Sequence, residues 1–144
     1  MKSLTIFYVD DDQDDLEYFQ TAIESIDDNL DLHTVDRGDK LLHILENPPP
    51  TPHVLFLDLN MPGVNGLEVL EKIRNTGVHR KLPIVIFSTS TDEKLIEQTR
   101  AMGASYYLPK SSNFSGLKKS IEHILSMDWE TFTPSQDNFI YRNN

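Results

Sequence analysis

The sequence predicts an α/β domain: an open, mostly parallel sheet with helices on both faces, built from five strand–helix units. Three observations predict it. Four short apolar runs, Leu4–Val9, Val54–Leu57, Ile84–Phe87 and Tyr106–Leu108, are bounded by polar or turn residues. Three are unbroken, as suits strands buried on both faces of a parallel sheet. Between the runs, apolar residues recur at helical spacing. The connections are short, so each strand feeds a helix that returns to the sheet by a right-handed crossover.

Each element can be justified in order. The strand Leu4–Val9 is followed by Leu16, Phe19, Ile23 and Ile26, one face of a first helix. Leu30–Val35, LDLHTV, is more polar and reads as an edge strand. Leu41, Leu42 and Leu45 mark the second helix. Pro48-Pro49-Pro50-Thr51-Pro52 cannot continue it and forms a stiff connector into Val54–Leu57. Leu67, Leu70 and Ile73 give the third helix, and Leu95, Ile96, Thr99 and Met102 the fourth, after Ile84–Phe87. Leu117, Ile121, Ile124 and Leu125 give the last, after Tyr106–Leu108. Asp12, Asp39, Asp92 and Asn113 precede helices, as N-caps should. The domain is expected to span residues 1–126. The tail 127–144 carries Trp129, Phe132, Phe139 and Tyr141 without clear period, leaving it open to packing, partner binding or disorder.

Bulk properties remove several function classes. The chain has 144 residues, enough for one well-buried core and too few for two ordinary domains. Thirteen basic and twenty-three acidic residues give a net charge of −10, unlike a non-specific binder of nucleic acid or anionic membrane. Without cysteine there is no disulfide, thiolate metal site or cysteine nucleophile. The start MKSLTIFYVDDD is not a secretory signal, and no apolar run approaches a membrane span. A cytoplasmic, soluble chain is expected. The scattered histidines, His33, His43, His53, His79 and His123, have no metal-ligand spacing.

In open parallel sheets ligands bind beyond the carboxyl ends of the strands. Asp10, Asp11 and Asp12 follow the first strand, Asp58 the third, Ser88 the fourth and Lys110 the fifth. Carboxylates, a hydroxyl and an amine therefore converge on one edge. Adjacent aspartates with Asp58 make an oxygen-only site suited to a hard dication such as Mg²⁺. A carboxylate not consumed by the metal can attack a phosphoryl group, with lysine and hydroxyl holding the other oxygens. Blander roles compete. Asp12, Asp14 and Asp15 are explained by a helix start, where negative charge is favourable. Ser88 heads a run, STST, in which any hydroxyl could cap a helix, and Lys110 alone could be a surface lysine.

Taken together, "VDDD", "LDLNMPGVNGLEVL", "LPIVIFSTS" and "MGASYYLPK" resemble response-regulator receiver domains of two-component signalling, from about Leu4 to Leu125. The resemblance implies a (βα)₅ doubly wound, flavodoxin-like three-layer sandwich with strand order 2-1-3-4-5. It implies that Asp58 accepts phosphate from a sensor histidine kinase or phosphotransfer protein. Asp10, Asp11, Asp58 and the main-chain carbonyl of Asn60 would hold Mg²⁺, or Mn²⁺ in its place. Ser88 would contact the phosphoryl group and switch rotamer, Tyr107 would be the coupled aromatic switch, and Lys110 would pair with phosphoryl oxygens. Output would pass through protein contact at Thr91 to Leu125, from a monomer or a phosphorylation-linked dimer. DDxxDD, with Asp14 and Asp15, is similar to stand-alone receivers that include phytochrome-associated regulators. One departure is that proline precedes the lysine here, in Pro109-Lys110-Ser111.

Two rivals use the same residues. A haloacid-dehalogenase-like phosphatase could take Asp10 as nucleophile and Asp12 as acid, supported by Ser88 and Lys110. It also needs an acidic pair downstream of the lysine, and nothing acidic follows Lys110 until Glu122. A calcium loop on Asp10, Asp12 and Asp14 lacks glycine at its sixth position (Asp15) and glutamate at its twelfth (Thr21).

Overall fold

The computed structural model describes residues 4–61, 63 and 65–142. Ten elements alternate: β1 (Thr5–Val9), α1 (Gln13–Ile26), β2 (Asp31–Val35), α2 (Gly38–Glu46), β3 (Val54–Leu57), α3 (Gly66–Asn75), β4 (Ile84–Ser88), α4 (Glu93–Ala101), β5 (Tyr106–Pro109) and α5 (Phe114–Ser126). The five strands are parallel in the order β2-β1-β3-β4-β5. The polar run reads correctly as an edge strand, because β2 pairs only with β1.

Alternation along each central strand divides the core in two. Ile6, Tyr8, Phe56, Val85, Phe87 and Leu108 pack under α1 and α5, with Phe19 and Ile121. Phe7, Val9, Leu55, Leu57, Ile86 and Tyr107 pack under α2 and α3, with Leu41 and Leu70. α4 contributes only Thr99 as a fully buried residue and is the most lightly anchored helix.

Three of the four expected caps are made. Asp12 accepts from the N–H groups of Asp14 and Asp15, Asp92 from Lys94, and Asn113 from Gly116. Asp39 does not cap. α2 begins two residues earlier than that cap would set, at Gly38, with Arg37 in the cap position and no side-chain cap bond. Asp39 sits within the first turn, where its carboxylate pairs with the Arg37 guanidinium, with Nε at 2.9 Å from Oδ1. α3 is capped by Asn65, whose side chain accepts from Glu68 N–H at 3.0 Å.

Gly66 follows that cap and has no freedom to be another residue. A Cβ there would lie 2.4 Å from the Asp58 carbonyl oxygen and 2.6 Å from Leu59 Cα. The start of α3 therefore lies directly against the chain leaving β3. Gly63, in the same loop, has φ +75, a left-handed conformation that glycine adopts without penalty. Pro62 and Val64, in the same segment, lie outside the described residues.

The residues after α5 return to the sheet. Phe139 is buried, and Ile140 forms a parallel bridge with Tyr107 on the outer edge of β5. Tyr107 N–H donates to the Phe139 carbonyl at 2.9 Å, and Tyr141 N–H donates to the Tyr107 carbonyl at 2.8 Å. Trp129 and Phe132 lie edge-on to Tyr106, with centroids 6.2 and 5.8 Å away.

Candidate functional site

Backbone bonding continues one residue past the strands and fixes the residues that carry charge. Asp10 N–H donates to the Val35 carbonyl, Asp58 N–H to Val9 and Lys110 N–H to Ser88, at 3.0, 3.1 and 2.8 Å. Asp10, Asp58 and Lys110 thus leave the sheet at its carboxyl edge on backbone held by neighbouring strands. Side chains placed this way need little further ordering.

Asp10, Asp11 and Asp58 each offer a carboxylate oxygen, all within 4.8 Å of one another. Asp10 and Asp58 are buried and Asp11 is exposed, so the group opens to solvent on one side. Lys110 supplies the compensating charge. Its Nζ lies 2.8 Å from Asp10 Oδ2, 2.8 Å from Asp15 Oδ2 and 3.4 Å from Asp58 Oδ1. Its ammonium also stands 5.4 Å from the centroid of the Phe87 ring.

The environment moves the Asp58 carboxyl far from the ordinary aspartate range, to about 7. Burial is the largest cause. Lys110 opposes it, the Asp10 charge adds to it, and the Asn60 backbone N–H draws it down again. For Lys110, burial alone would favour the neutral amine. Hydrogen bonds to Asp10 and Asp15, with the Asp58 and Asp10 charges, overcome this and hold the ammonium above its usual range. The metal-free site is thus a carboxylate-rich pocket partly neutralised by one lysine. Its oxygen-only donor set and surplus negative charge fit a hard dication.

Asp10 is the most heavily engaged carboxylate. Its Oδ1 accepts from Asp12 N–H at 3.0 Å, and its Oδ2 accepts from the Tyr8 hydroxyl at 2.5 Å as well as from Lys110. Tyr8 is fully buried, its ring against Phe19 and Phe87. Burial, then the bond to Asp10, push its phenol pKa far up, so it remains a donor.

Ser88 is buried, and its Oγ accepts from Ser90 N–H at 3.1 Å. Tyr107 is buried too, and its hydroxyl donates to the Ser90 carbonyl at 2.7 Å. The two residues therefore grip the same β4–α4 turn. Asn60 is exposed beside Asp58.

A family model described as the response regulator receiver domain matches residues 6–122. The chain belongs to this receiver family. Among curated relatives, it is 34% identical over 84 residues to response regulator Rcp1 of Synechocystis sp., covering 58% of this chain and 57% of that protein. It is 29% identical over 121 residues to the DNA-binding transcriptional regulator NtrC of Salmonella typhimurium, covering 84% of this chain and 24% of that protein. The chain spans little more than half the length of Rcp1 and about a fifth of a protein-glutamate methylesterase/protein-glutamine glutaminase of Trichodesmium erythraeum that it also matches, 57% and 22%. Among solved structures, the phosphorylated cyanobacterial phytochrome response regulator RcpA superposes with TM-score 0.80 at 27% identity, covering 92% of this chain and 97% of that one. The Mn²⁺-bound form of Rcp1 gives 0.75 at 28%, covering 92% and 99%.

Receiver membership answers the phosphatase rival. Asp58 shares one carboxylate group with Asp10 and Asp11, and Asp10 is engaged by three donors. Sequence reasoning missed two residues that bond to this cluster. Asp15, assigned to the helix surface, bonds Lys110, because the first turn of α1 turns it toward the end of β5. Tyr8 passed as one more apolar strand residue. The signal was there in both cases: Tyr8 shares a strand face with Asp10 at i, i+2, and Asp15 lies one turn from the cap Asp12.

Proposed function

We propose that Asp58 is the phosphoryl acceptor of this receiver, and that Asp10, Asp11, Asp58 and the Asn60 main-chain carbonyl hold Mg²⁺ or Mn²⁺. One observation carries the reading: a buried Asp58 carboxylate, 3.4 Å from a lysine ammonium, inside a group of three carboxylates. A carboxylate oxygen of Asp58 forms the new bond to phosphorus as the P–N bond of a phosphohistidine breaks. The departing imidazole keeps that electron pair and takes up a proton. When bound, the dication neutralises the phosphoryl oxygens and the facing carboxylates. Lys110 holds a phosphoryl oxygen, a positioning and charge role of the kind this transfer depends on.

The Ser88 hydroxyl donates to another phosphoryl oxygen as it switches rotamer, which turns its Oγ away from Ser90 N–H. Tyr107 responds because it holds the same turn through the Ser90 carbonyl. Phosphorylation then biases an equilibrium between two arrangements of the face from Thr91 to Leu125, which a partner protein reads. The donor is a sensor histidine kinase or a phosphotransfer protein, and an ATP-fed donor implies a cytoplasmic site of action. We read residues 1–126 as the receiver and the tail as part of the same packed unit, acting as a monomer or as a phosphorylation-linked dimer. Its own chemistry is limited to self-phosphorylation and self-dephosphorylation. The acidic surface disfavours nucleic acid as a direct target, and no described helix is long and apolar enough to cross a membrane.

The test is incubation with Mg²⁺ and acetyl phosphate, followed by mapping of the adduct by mass spectrometry. Label on Asp58 that is absent in Asp58→Asn supports the proposal. No adduct, or steady phosphatase turnover that depends on Asp10, overturns it.

A further inference from the structure

Lys110 has more carboxylate partners than the chemistry at Asp58 requires. Two of them, Asp10 and Asp58, also belong to the group that would hold a dication. A cation entering that group meets the ammonium at two of its own ligands. Positive charges a few ångströms apart in a partly buried site repel strongly, so the two cannot share Asp10 and Asp58 freely. The third partner lies outside the group. Asp15 Oδ2 is 2.8 Å from Nζ, as close as Asp10 Oδ2, and it approaches from the solvent side.

Asp15 is also well placed to keep its position. It stands in the first turn of α1, where its N–H donates to the capping Asp12 carboxylate at 3.2 Å. The carboxylate is short and its backbone is pinned, so it cannot follow the ammonium far. The lysine therefore has a fixed alternative partner within reach of its present position.

The geometry points to Asp15 as a positioning residue that takes over the Lys110 ammonium when a dication occupies Asp10, Asp11 and Asp58. This inference rests on the metal-site reading above and adds the first turn of α1 to it. Without Asp15, the ammonium stays on Asp10 and Asp58 and competes with the cation. Loss of Asp15 then weakens cation binding through Lys110 and not through bulk charge alone. Asp14 provides the control, since it carries the same charge in the same turn and makes no ion pair with Lys110 among the described residues.

Calorimetric titration of Mn²⁺ into the full, unphosphorylated chain tests this. Asp15→Asn should raise Kd by about tenfold, the effect of losing one charge-assisted contact. Asp14→Asn should raise it by less than about twofold, as expected of a screened exposed charge, and Asp15→Glu should recover most of the lost affinity. In a Lys110→Met background, adding Asp15→Asn should change Kd by less than about twofold. Equal losses for Asp14→Asn and Asp15→Asn would overturn the inference, as would a tenfold loss that persists without Lys110. Should Lys110→Met fail to fold, the Asn and Glu comparisons decide. A wild-type chain that binds no Mn²⁺ overturns the metal-site reading itself, and this inference with it. A chain with Asp15-dependent Mn²⁺ binding and no label on Asp58 supports the inference and removes only the acceptor assignment.

Discussion

The two ends of β5 are held by opposite physics. At its carboxyl end, Lys110 is held by charge, shared among Asp10, Asp15 and Asp58. Three residues earlier, Tyr107 is held by backbone bonds to Phe139 and Tyr141 and by a buried ring beside the Phe139 ring, with centroids 6.4 Å apart. A charge-held end can exchange partners when a cation or a phosphoryl group arrives. An apolar, backbone-paired end has nothing to exchange and must stay or move as a packed unit. The Tyr107 hydroxyl on the Ser90 carbonyl joins the two, because Ser90 N–H also bonds Ser88. The tail thus loads the residue proposed as the switch.

Removing the apolar hold should have the largest effect on stability. Phe139 is 2% exposed, and Phe139→Ala leaves a cavity beside Tyr107. Such truncations cost about 3–5 kcal/mol. Urea unfolding should show that loss, while acetyl phosphate still labels Asp58 at temperatures where the variant is folded. Loss of labelling in a folded Phe139→Ala chain would mean that the two ends are not separable.

The charged end should be visible in the pH dependence of stability with metal removed by EDTA. The folded chain holds the Asp58 proton up to about 7, whereas an unfolded aspartate releases it near ~3.9. Between these values the unfolded state has lost a proton that the folded state keeps. This contribution is therefore full below about 4 and is lost as pH rises through about 7. The decline should total on the order of 4 kcal/mol. Asp58→Asn cannot titrate and should be more stable than wild type at pH 7.5 by a similar amount. Parallel stability curves for the two chains would rule out a raised Asp58 pKa.

Much of this was legible in the sequence, for reasons that also mark where it stopped. Strands such as Val54–Leu57 and Ile84–Phe87 are buried on both faces, and burial leaves an unbroken apolar run that needs no partner to be read. Asp10 and Asp58 were legible because each stands directly after such a run, and Lys110 because only Pro109 separates it from one. Asp39 was misplaced by two positions, since an aspartate before apolar residues looks alike whether it caps the helix or pairs within its first turn. Asp15 was hidden because its partner is 95 residues away and belongs to a different element. The tail was hidden for a related reason: Phe139 and the bridging Ile140 have neither helical nor strand period around them, and only the finished edge of β5 shows where they fit.

The smallest expected effect concerns the residue beneath the charged end. Tyr8→Phe keeps the ring against Phe19 and Phe87 and removes only the donor to Asp10 Oδ2. Asp10 keeps Asp12 N–H and Lys110, so the loss should be about 1.5 kcal/mol, the low end of the range for one hydrogen bond to a charged group. The metal state should change that figure. Without metal, Lys110 stays on Asp10 and masks part of the loss. With Mg²⁺ bound and the ammonium drawn toward Asp15, Asp10 depends more on Tyr8 to fix its orientation. The penalty measured by urea unfolding should then be larger in Mg²⁺ than in EDTA. An equal penalty in both would show that Lys110 does not leave Asp10, and that the charged end of β5 is as fixed as the apolar one.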